Sequence, residues 1–359
     1  MVEICAFPRK LANKTSLTGP DPLSDRLRQT RSNTLLYYCL IALVGITAAS
    51  FVSKAQNSLP SQLGSGDEYT FKVDTNMVIL NATVLDHHNE SVSGLSKNNF
   101  QIYEDGKVQL IKQFSSEDIP VTTGIVVDNS GSMGPKRDDV IAAALAFARS
   151  SNPQDQMFVV NFNDRVSFGL PPGTLFTGRL EELQIALSRI RTIGQTSLYD
   201  GIVAGLDHLK QGTSDKKVLI LISDGGDNAS KHNLAQVIAM ARQTTAIIYA
   251  IGIFDEQDGD QNPDVLKRLS RETGGEAFFP ESSKEVVSIC EGIAHDIRSQ
   301  YTLAYVPVIT AEDRSYRTVE VRASAHGHGR LSVRTRTGYS VSLTIPAGAT
   351  KAILHDSRN

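Results

Sequence analysis

The middle of the chain alternates between apolar runs of strand length and stretches in which apolar residues recur at helical spacing. Nearly continuous apolar runs cover residues 121–127, 157–162, 218–222 and 246–253. Helical spacing predicts helices at 138–150, 234–242, 265–272 and 285–299. Apolar strands that alternate with amphipathic helices are typical of a mostly parallel sheet covered on both faces. We therefore predict a doubly wound α/β domain over residues 119–299.

The segments on either side of this domain have a different pattern, with short β-rich runs, some of them alternating, separated by turn residues. Such runs occur before it at 77–85, 100–104 and 108–114, and after it at 301–305, 319–321, 331–335 and 339–345. Each flank alone is too short to hold a core comfortably. We predict that residues 67–118 and 300–346 pack together as one smaller β-sandwich-like domain into which the α/β domain is inserted. Residues 347–359 are predicted to be a tail.

In the strand predicted at 331–335, polar residues alternate with apolar ones. Leu331 and Val333 alternate with Ser332 and Arg334, and Arg336 continues the polar series. An alternation of period two separates the two faces of a strand. We expect Arg334 and Arg336 on the solvent face.

The N-terminus has the pattern of an export segment. An uncharged apolar run at 35–52 follows Arg26, Arg28 and Arg31. A basic flank followed by an apolar stretch predicts a signal peptide or a signal anchor within residues 1–55, and a run of roughly 18 residues also suffices to span a bilayer. Both alternatives remain open, and 56–66 is predicted to be a linker. In either case the rest of the chain works outside the cytoplasm, secreted, periplasmic or membrane-anchored.

Composition narrows the classes of partner. The net charge is -3 and Trp is absent, so neither a nucleic acid nor an anionic membrane surface is an expected partner. A membrane contact is expected only through the N-terminal segment. The cysteines Cys5, Cys39 and Cys290 lack the spacing of a metal clip or a redox motif. Cys290 is expected to be a small buried hydrophobic residue.

Three polar segments stand where strands end or helices begin. Asp128, Ser130 and Ser132 alternate directly after the apolar run 121–127. Thr196 lies in a polar loop that opens a helix, and Asp224 leaves the run 218–222. Each segment alone could be a helix cap or a turn, because these residue types favour such positions. Since ligands bind beyond the carboxyl ends of strands in such sheets, we expect all three segments to meet.

Together these residues offer carboxylate and hydroxyl oxygens. Hard oxygen ligands suit Mg²⁺, Mn²⁺ or Ca²⁺ and do not suit zinc or copper. Much of the set is neutral hydroxyl, so the charge of a bound ion is only partly quenched. We expect such an ion to take one more anionic oxygen, from an Asp or Glu carboxylate of a protein partner.

The constellation resembles the metal-ion-dependent adhesion site of von Willebrand factor A-type domains. Five positions match: Asp128, Ser130, Ser132, Thr196 and Asp224. The resemblance covers about residues 120–299, and the flanks look like secreted bacterial proteins related to that family. It implies a doubly wound, Rossmann-like sheet and metal-bridged protein binding without catalysis. One departure is Gln195, where many members have Gly.

Two further acids lie near these segments. Asp200 and Asp227 are candidates for orienting ligands or waters around the ion. A first-turn helix acid and a loop turn are the alternatives for them. Both readings stay open from the sequence.

Three functions compete. The first is an extracytoplasmic binding protein for adhesion or envelope assembly. The second is a metal-dependent hydrolase, which needs a general base near a metal-bound water. The three motif segments contain no His, and Asp227 is the spare carboxylate in the strand-end loop. The third is a structural envelope protein that does not use the site.

Overall fold

The computed structural model describes residues 77–254, 261–308 and 316–341. The predicted export segment at 1–55, the linker at 56–66 and the tail at 347–359 lie outside these residues, as does most of the strand predicted at 339–345. No helix within the described ranges is long and apolar enough to cross a membrane.

Strands and helices follow the predicted order. The strands are β1 (Val78–Leu85), β2 (Phe100–Glu104), β3 (Lys107–Gln109), β4 (Ile111–Ser115), β5 (Val121–Asp128), β6 (Gln156–Phe162), β7 (Val166–Phe168), β8 (Lys216–Ser223), β9 (Ile247–Gly252), β10 (Ala277–Phe278), β11 (Tyr301–Tyr305), β12 (Tyr316–Ala323), β13 (Ser332–Arg334) and β14 (Gly338–Ser340). The α-helices are α1 (Arg137–Ser150), α2 (Leu180–Ser188), α3 (Leu198–Leu209), α4 (Leu234–Arg242), α5 (Pro263–Thr273) and α6 (Ser283–Ser299).

Strands β5 to β10 form the central sheet, in the order β10-β9-β8-β5-β6-β7. All neighbours are parallel except β7, which pairs with β6 in the antiparallel sense. Every residue of β5 is buried, as expected for a strand covered on both faces. The predicted fold class, a mostly parallel α/β sheet with additional antiparallel sheets, is confirmed.

Helix α5 shows how local sequence sets the element bounds. The Asn262 side chain accepts a hydrogen bond from the Val265 N–H, and Pro263 occupies the first turn, where a missing N–H costs nothing. The helix ends at Gly274, which adopts a left-handed φ of 88°. Cys290 of α6 is buried in the core of this domain, as the sequence predicts.

The flanking strands form two antiparallel four-stranded sheets, β13-β1-β11-β4 and β14-β12-β2-β3. Each sheet joins strands from before and after the α/β domain, since β1 pairs with β11 and β2 pairs with β12. The two sheets share one apolar core that includes Leu80, Ile102 and Leu303. The chain therefore leaves this β-domain after β4 and returns to it at β11.

One predicted strand is wrong. Residues 108–114 are not one strand but the two strands β3 and β4, which belong to different sheets. Val108 and Leu110 are 67% and 69% exposed, whereas Ile111 is 7% exposed. The apolar alternation thus changes phase between Leu110 and Ile111, where the chain passes from one sheet to the other.

The expectation of solvent-facing arginines is also wrong. Arg334 forms ion pairs with Glu276 and Asp296 of the α/β domain. Arg336 donates hydrogen bonds to the backbone carbonyls of Arg242 and Thr244. Alternation separates the two faces of a strand but does not reveal what covers the second face. Here the α/β domain covers it.

Candidate metal centre at the carboxyl ends of the central strands

Two adjacent parallel strands deliver the two site carboxylates to the same edge of the sheet. Asp128 is the last residue of β5, and Asp224 follows the last residue of β8. The strands are paired in register up to Val127 and Ile222. The sequence prediction placed these two acids together for the same reason, because parallel strands end at a common edge.

Hydrogen bonds join the first and third segments into one network. Asp128 accepts the Ser130 N–H at 2.8 Å through Oδ1 and the Ser223 hydroxyl at 2.7 Å through Oδ2. The Ser130 and Ser132 hydroxyl oxygens lie 3.1 Å apart, and the Ser132 hydroxyl donates to Asp224 Oδ2 at 2.8 Å. Four of the five predicted residues are therefore in one connected cluster.

The fifth residue, Thr196, is brought to this edge by its loop. The Gly131 N–H donates to the Gly194 carbonyl at 3.1 Å, and the Ile193 N–H donates to the Asn129 carbonyl at 3.0 Å. These two backbone bonds tie the loop before Thr196 to the loop after Asp128. Thr196 is 7% exposed.

Both site carboxylates are buried, and this sets their electrostatics. Asp128 is 2% and Asp224 is 3% exposed. Burial raises the pKa of Asp128 to about 6, and the charge of Asp224 adds to the increase, while hydrogen bonds from Ser130 and Ser223 oppose it. Keeping Asp128 negatively charged in this buried position therefore costs free energy.

No basic side chain of the described residues forms an ion pair with either carboxylate. The nearby basic residues are engaged elsewhere. Arg137 donates to the Asn129 side chain at 2.6 Å and to the Thr192 hydroxyl at 2.9 Å, and Lys136 donates to a backbone carbonyl at 3.1 Å. Two buried acids without a cationic partner are the arrangement that a bound cation stabilises.

The donor set fits a hard divalent cation, since it consists of two carboxylates and three hydroxyls. In the part of the chain that the structure describes, no group of three or more His, Cys, Asp or Glu side chains could hold a metal ion. The predicted ligand set differs from such groups because it includes the hydroxyls of Ser130, Ser132 and Thr196, and binding of an ion by this set stays a prediction.

Asp200 and Asp227 bond to a neighbouring loop and not to the five predicted ligands. Asp200 accepts hydrogen bonds from the Lys231 and His232 N–H groups and from the His232 ring. Burial raises the pKa of Asp200, but the bonds from Lys231 and His232 outweigh it and hold the pKa below its ordinary value. Asp227 accepts the Tyr199 N–H and the Ser230 hydroxyl. Both acids fasten the loop after Asp224 to the start of α3; a role toward the ion stays a prediction.

Sequence reasoning missed three residues around the site. Ser223 donates to Asp128, and its signal was its position beside Asp224 at a strand end. Asn228 accepts the Thr196 N–H at 2.9 Å, and Asp164 accepts the Gln195 N–H at 2.9 Å. Neither of the last two lies in a recognisable motif. Gln195 itself is exposed, so the departure from Gly is accommodated at the surface.

Comparison with known proteins identifies the central domain of the chain. A model of the von Willebrand factor type A domain matches residues 124–291. The Synechocystis sp. protein sll0103 is 25% identical over 175 residues, which are 47% of this chain and 40% of that relative. The match thus spans about two fifths of the relative's length.

Solved structures with a similar fold have low sequence identity. A von Willebrand factor type A protein from Catenulispora acidiphila is 14% identical, with 74% of this chain and 75% of that chain covered and a TM-score of 0.46. The vWF domain of the type V pili tip protein Mfa5 from Porphyromonas gingivalis is 14% identical, with 50% and 95% covered and a TM-score of 0.43. The pilus adhesin SpaC from Lactobacillus rhamnosus GG is 13% identical, with 71% and 49% covered and a TM-score of 0.42.

The match of the family model confirms the predicted von Willebrand factor A-type domain, and it covers the end of β5 from residue 124 and the Thr196 and Asp224 loops. The chain contains a von Willebrand factor type A domain at residues 124–291.

Proposed function

We propose that this chain is an extracytoplasmic binding protein that engages a protein partner through a divalent cation. The cation, Mg²⁺ or else Mn²⁺ or Ca²⁺, is held by Asp128, Ser130, Ser132, Thr196 and Asp224. The partner contributes an Asp or Glu carboxylate. The von Willebrand factor type A domain supports protein binding as the class of activity.

The observation that carries the proposal is the pair of hydrogen bonds that link the two acid-bearing strand ends. Ser223 donates to Asp128, and Ser132 donates to Asp224. These bonds gather both buried carboxylates without neutralising them. A bound divalent ion supplies the missing positive charge. Because three of the five donors are neutral hydroxyls, it retains more attraction for an outside carboxylate than an all-carboxylate site allows.

We propose binding in place of catalysis because the local acids already have structural tasks. Hydrolytic use of the ion needs a general base within reach of a metal-bound water. Asp227, the spare carboxylate named from the sequence, accepts hydrogen bonds from Tyr199 and Ser230 through one oxygen. These bonds favour a role in holding the loop.

The extracytoplasmic location rests on the N-terminal sequence. The apolar run at 35–52 follows a basic stretch, which is the pattern of an export signal or an anchor. Fractionation of cells that express the full chain, with protease added to intact cells, tests this location. Protection of the chain in the cytoplasm contradicts it.

Metal titration of the purified full chain tests the site. We expect Mg²⁺ or Mn²⁺ to bind with one ion per chain and Asp224→Asn to abolish binding, because the change removes one of two ligand charges. The matched control is Asp207→Asn, an exposed acid on α3 that pairs with Lys210. The control should bind the ion as the wild type does. A wild-type chain that binds none of Mg²⁺, Mn²⁺ or Ca²⁺ disproves the metal site.

Capture experiments then test the partner. The full chain is immobilised and exposed to extracytoplasmic extract in Mg²⁺ or in chelator, beside the Ser132→Ala variant. We expect capture in Mg²⁺ that is lost in chelator and in Ser132→Ala, while circular dichroism shows the fold retained. Capture that persists in chelator indicates binding by another surface.

A further inference from the structure

Thr196 differs from the other predicted ligands in what holds it. Asp128 ends a strand and Asp224 follows one, so the sheet fixes both. Thr196 lies between α2 and α3 in a segment without regular secondary structure. The backbone of this segment is not held by the hydrogen bonds of a helix or a strand, although Thr196 is buried, with 7% of its surface exposed. Contacts from other segments must determine where its hydroxyl stands.

Asn228 provides the first of these contacts. The Thr196 N–H donates to Asn228 Oδ1 at 2.9 Å. In return the Asn228 and Ala229 N–H groups donate to the Thr196 carbonyl at 3.0 and 3.1 Å. Both backbone polar groups of Thr196 are therefore used by one segment, which begins four residues after Asp224. The loop that provides one ligand also holds another.

Asp164, in the turn between β6 and β7, provides the second contact. Its Oδ1 accepts the Gln195 N–H at 2.9 Å, and the neighbouring Asn163 carbonyl accepts the Ser197 N–H at 2.9 Å. Gly194 has a φ of +89°, and a Cβ there would lie 2.0 Å from Asp164 Oδ2. The carboxylate thus fills the space that a side chain at 194 would need. Thr196 is held from both sides.

We propose that Asn228 and Asp164 are positioning residues that aim the Thr196 hydroxyl at the cation and thereby raise metal affinity. The inference rests on the proposed function, because it assumes an ion at the site. Neither residue is a ligand. Both are exposed, so replacing them leaves the cores intact. Partners that orient metal ligands typically affect affinity about 10- to 100-fold.

A Mn²⁺ titration of the full chain, read by the electron paramagnetic resonance of free Mn²⁺, tests the proposal. We expect Asn228→Ala to raise the Kd about tenfold or more, because the Thr196 N–H loses its acceptor. Asn228→Asp keeps an acceptor oxygen and should bind within about threefold of the wild type. On the opposite side of Thr196, Asp164→Ala should likewise raise the Kd, because the Gln195 N–H loses its acceptor. Asp164→Asn retains Oδ1 and should bind Mn²⁺ nearly as the wild type does.

The control is Asn233→Ala, in the same loop. The Asn233 side chain accepts the Gln236 N–H at the start of α4 and makes a capping box with it. Its loss should lower the melting temperature in chelator while the Mn²⁺ affinity stays that of the wild type. If Asn228 has only a structural role, Asn228→Ala should also lower the melting temperature and leave the Mn²⁺ affinity unchanged.

The outcomes separate the two proposals. If the wild type binds Mn²⁺ and Asn228→Ala binds it equally well, Asn228 does not position Thr196 and the proposed function stands. If Asn228→Asp is as weak as Asn228→Ala, the acceptor oxygen is not the cause and the inference is wrong. If the wild type binds no ion, the proposed function fails first, and this inference fails with it.

Discussion

Two regions of the molecule that hold carboxylates away from solvent differ in what surrounds them. Where the β-domain meets the α/β domain, Asp296 is paired with Arg334, and Glu272 accepts three bonds from Arg242. At the carboxyl ends of β5 and β8, Asp128 and Asp224 accept bonds from hydroxyls and backbone N–H groups. At the domain boundary, arginine side chains neutralise the acids. At the carboxyl ends of the strands, the acids accept bonds from neutral donors.

The difference distinguishes the acids at the domain boundary from the acids of the proposed metal site. An arginine neutralises a buried carboxylate permanently, so the charge contributes to holding two domains together. Hydroxyl and amide donors orient a carboxylate but leave its charge, which burial makes costly. The raised pKa of Asp128 expresses that cost. Polar contact alone therefore does not identify a metal site; the proposal rests on two neighbouring buried acids that both lack a basic partner among the described residues.

The largest effect is expected from breaking the paired region. Arg334→Ala leaves Asp296 buried, and among the residues that the structure describes its side chain then keeps the Tyr249 hydroxyl as donor, at 2.7 Å. Removing one partner of a buried pair leaves an uncompensated charge, so the free energy of unfolding should fall by about 3 kcal/mol. Urea denaturation followed by circular dichroism measures it, in chelator so that metal binding does not contribute.

Arg322→Ala is the control for this change. Arg322 lies in the same domain and pairs with Glu320, but both side chains are more than half exposed, at 59% and 56%. Exposed pairs contribute little, and a loss below about 1 kcal/mol is expected. Equal losses in the two variants contradict the view that Arg334 neutralises buried acids.

The order of strands and helices could be predicted because parallel strands covered on both faces contain nearly continuous apolar runs. Residues 125–127 of β5 and 218–222 of β8 are such runs. The meeting of Asp128 with Asp224 could also be predicted, since both stand at the carboxyl ends of adjacent strands. These features depend on local pattern and on the geometry of the sheet.

Other features could not be predicted because they depend on contacts between distant segments. Asn228 and Asp164 reach Thr196 through loop conformations that no local pattern specifies. The environment of Arg334 depends on how one domain covers the other. The break between β3 and β4 left a trace, the adjacent apolar residues Leu110 and Ile111, but the β-rich sequence on either side of it predicts one continuous strand.

The buried ammonium group of Lys216 tests, for a positive charge, whether burial makes a charge costly. Lys216 is 2% exposed, and its ammonium donates to the Ile297 carbonyl at 2.8 Å. Burial lowers the pKa of Lys216 from 10.5 to about 8, against the pull of Asp118, Asp296 and Asp155. Between these values the unfolded chain keeps a proton that the folded chain has released. The free energy of unfolding should therefore rise with pH through this window, by about 3 kcal/mol.

Lys216→Met isolates this contribution, because tyrosines and Cys290 titrate alike in both proteins. The stability of the wild type relative to the variant is measured by urea denaturation at several pH values from 8 to 10.5. A relative stability that stays flat across the window shows that Lys216 is not desolvated as its burial implies.

The smallest expected effect is the change in stability when one acid of each region is replaced by its amide. It tests the comparison sharply, because the sign of the change should differ between the two regions. In chelator, Asp224→Asn removes a like charge beside Asp128 while the amide still accepts from Gly226 or bonds to Ser132. The free energy of unfolding should rise by about 1 kcal/mol, as repulsion between two buried acids is relieved. At the domain boundary, Asp296→Asn should lower it, because Arg334 then loses a partner. Denaturation of both variants in chelator decides the matter: if both lose stability, Asp224 already has a favourable partner and the site has no charge left for an ion.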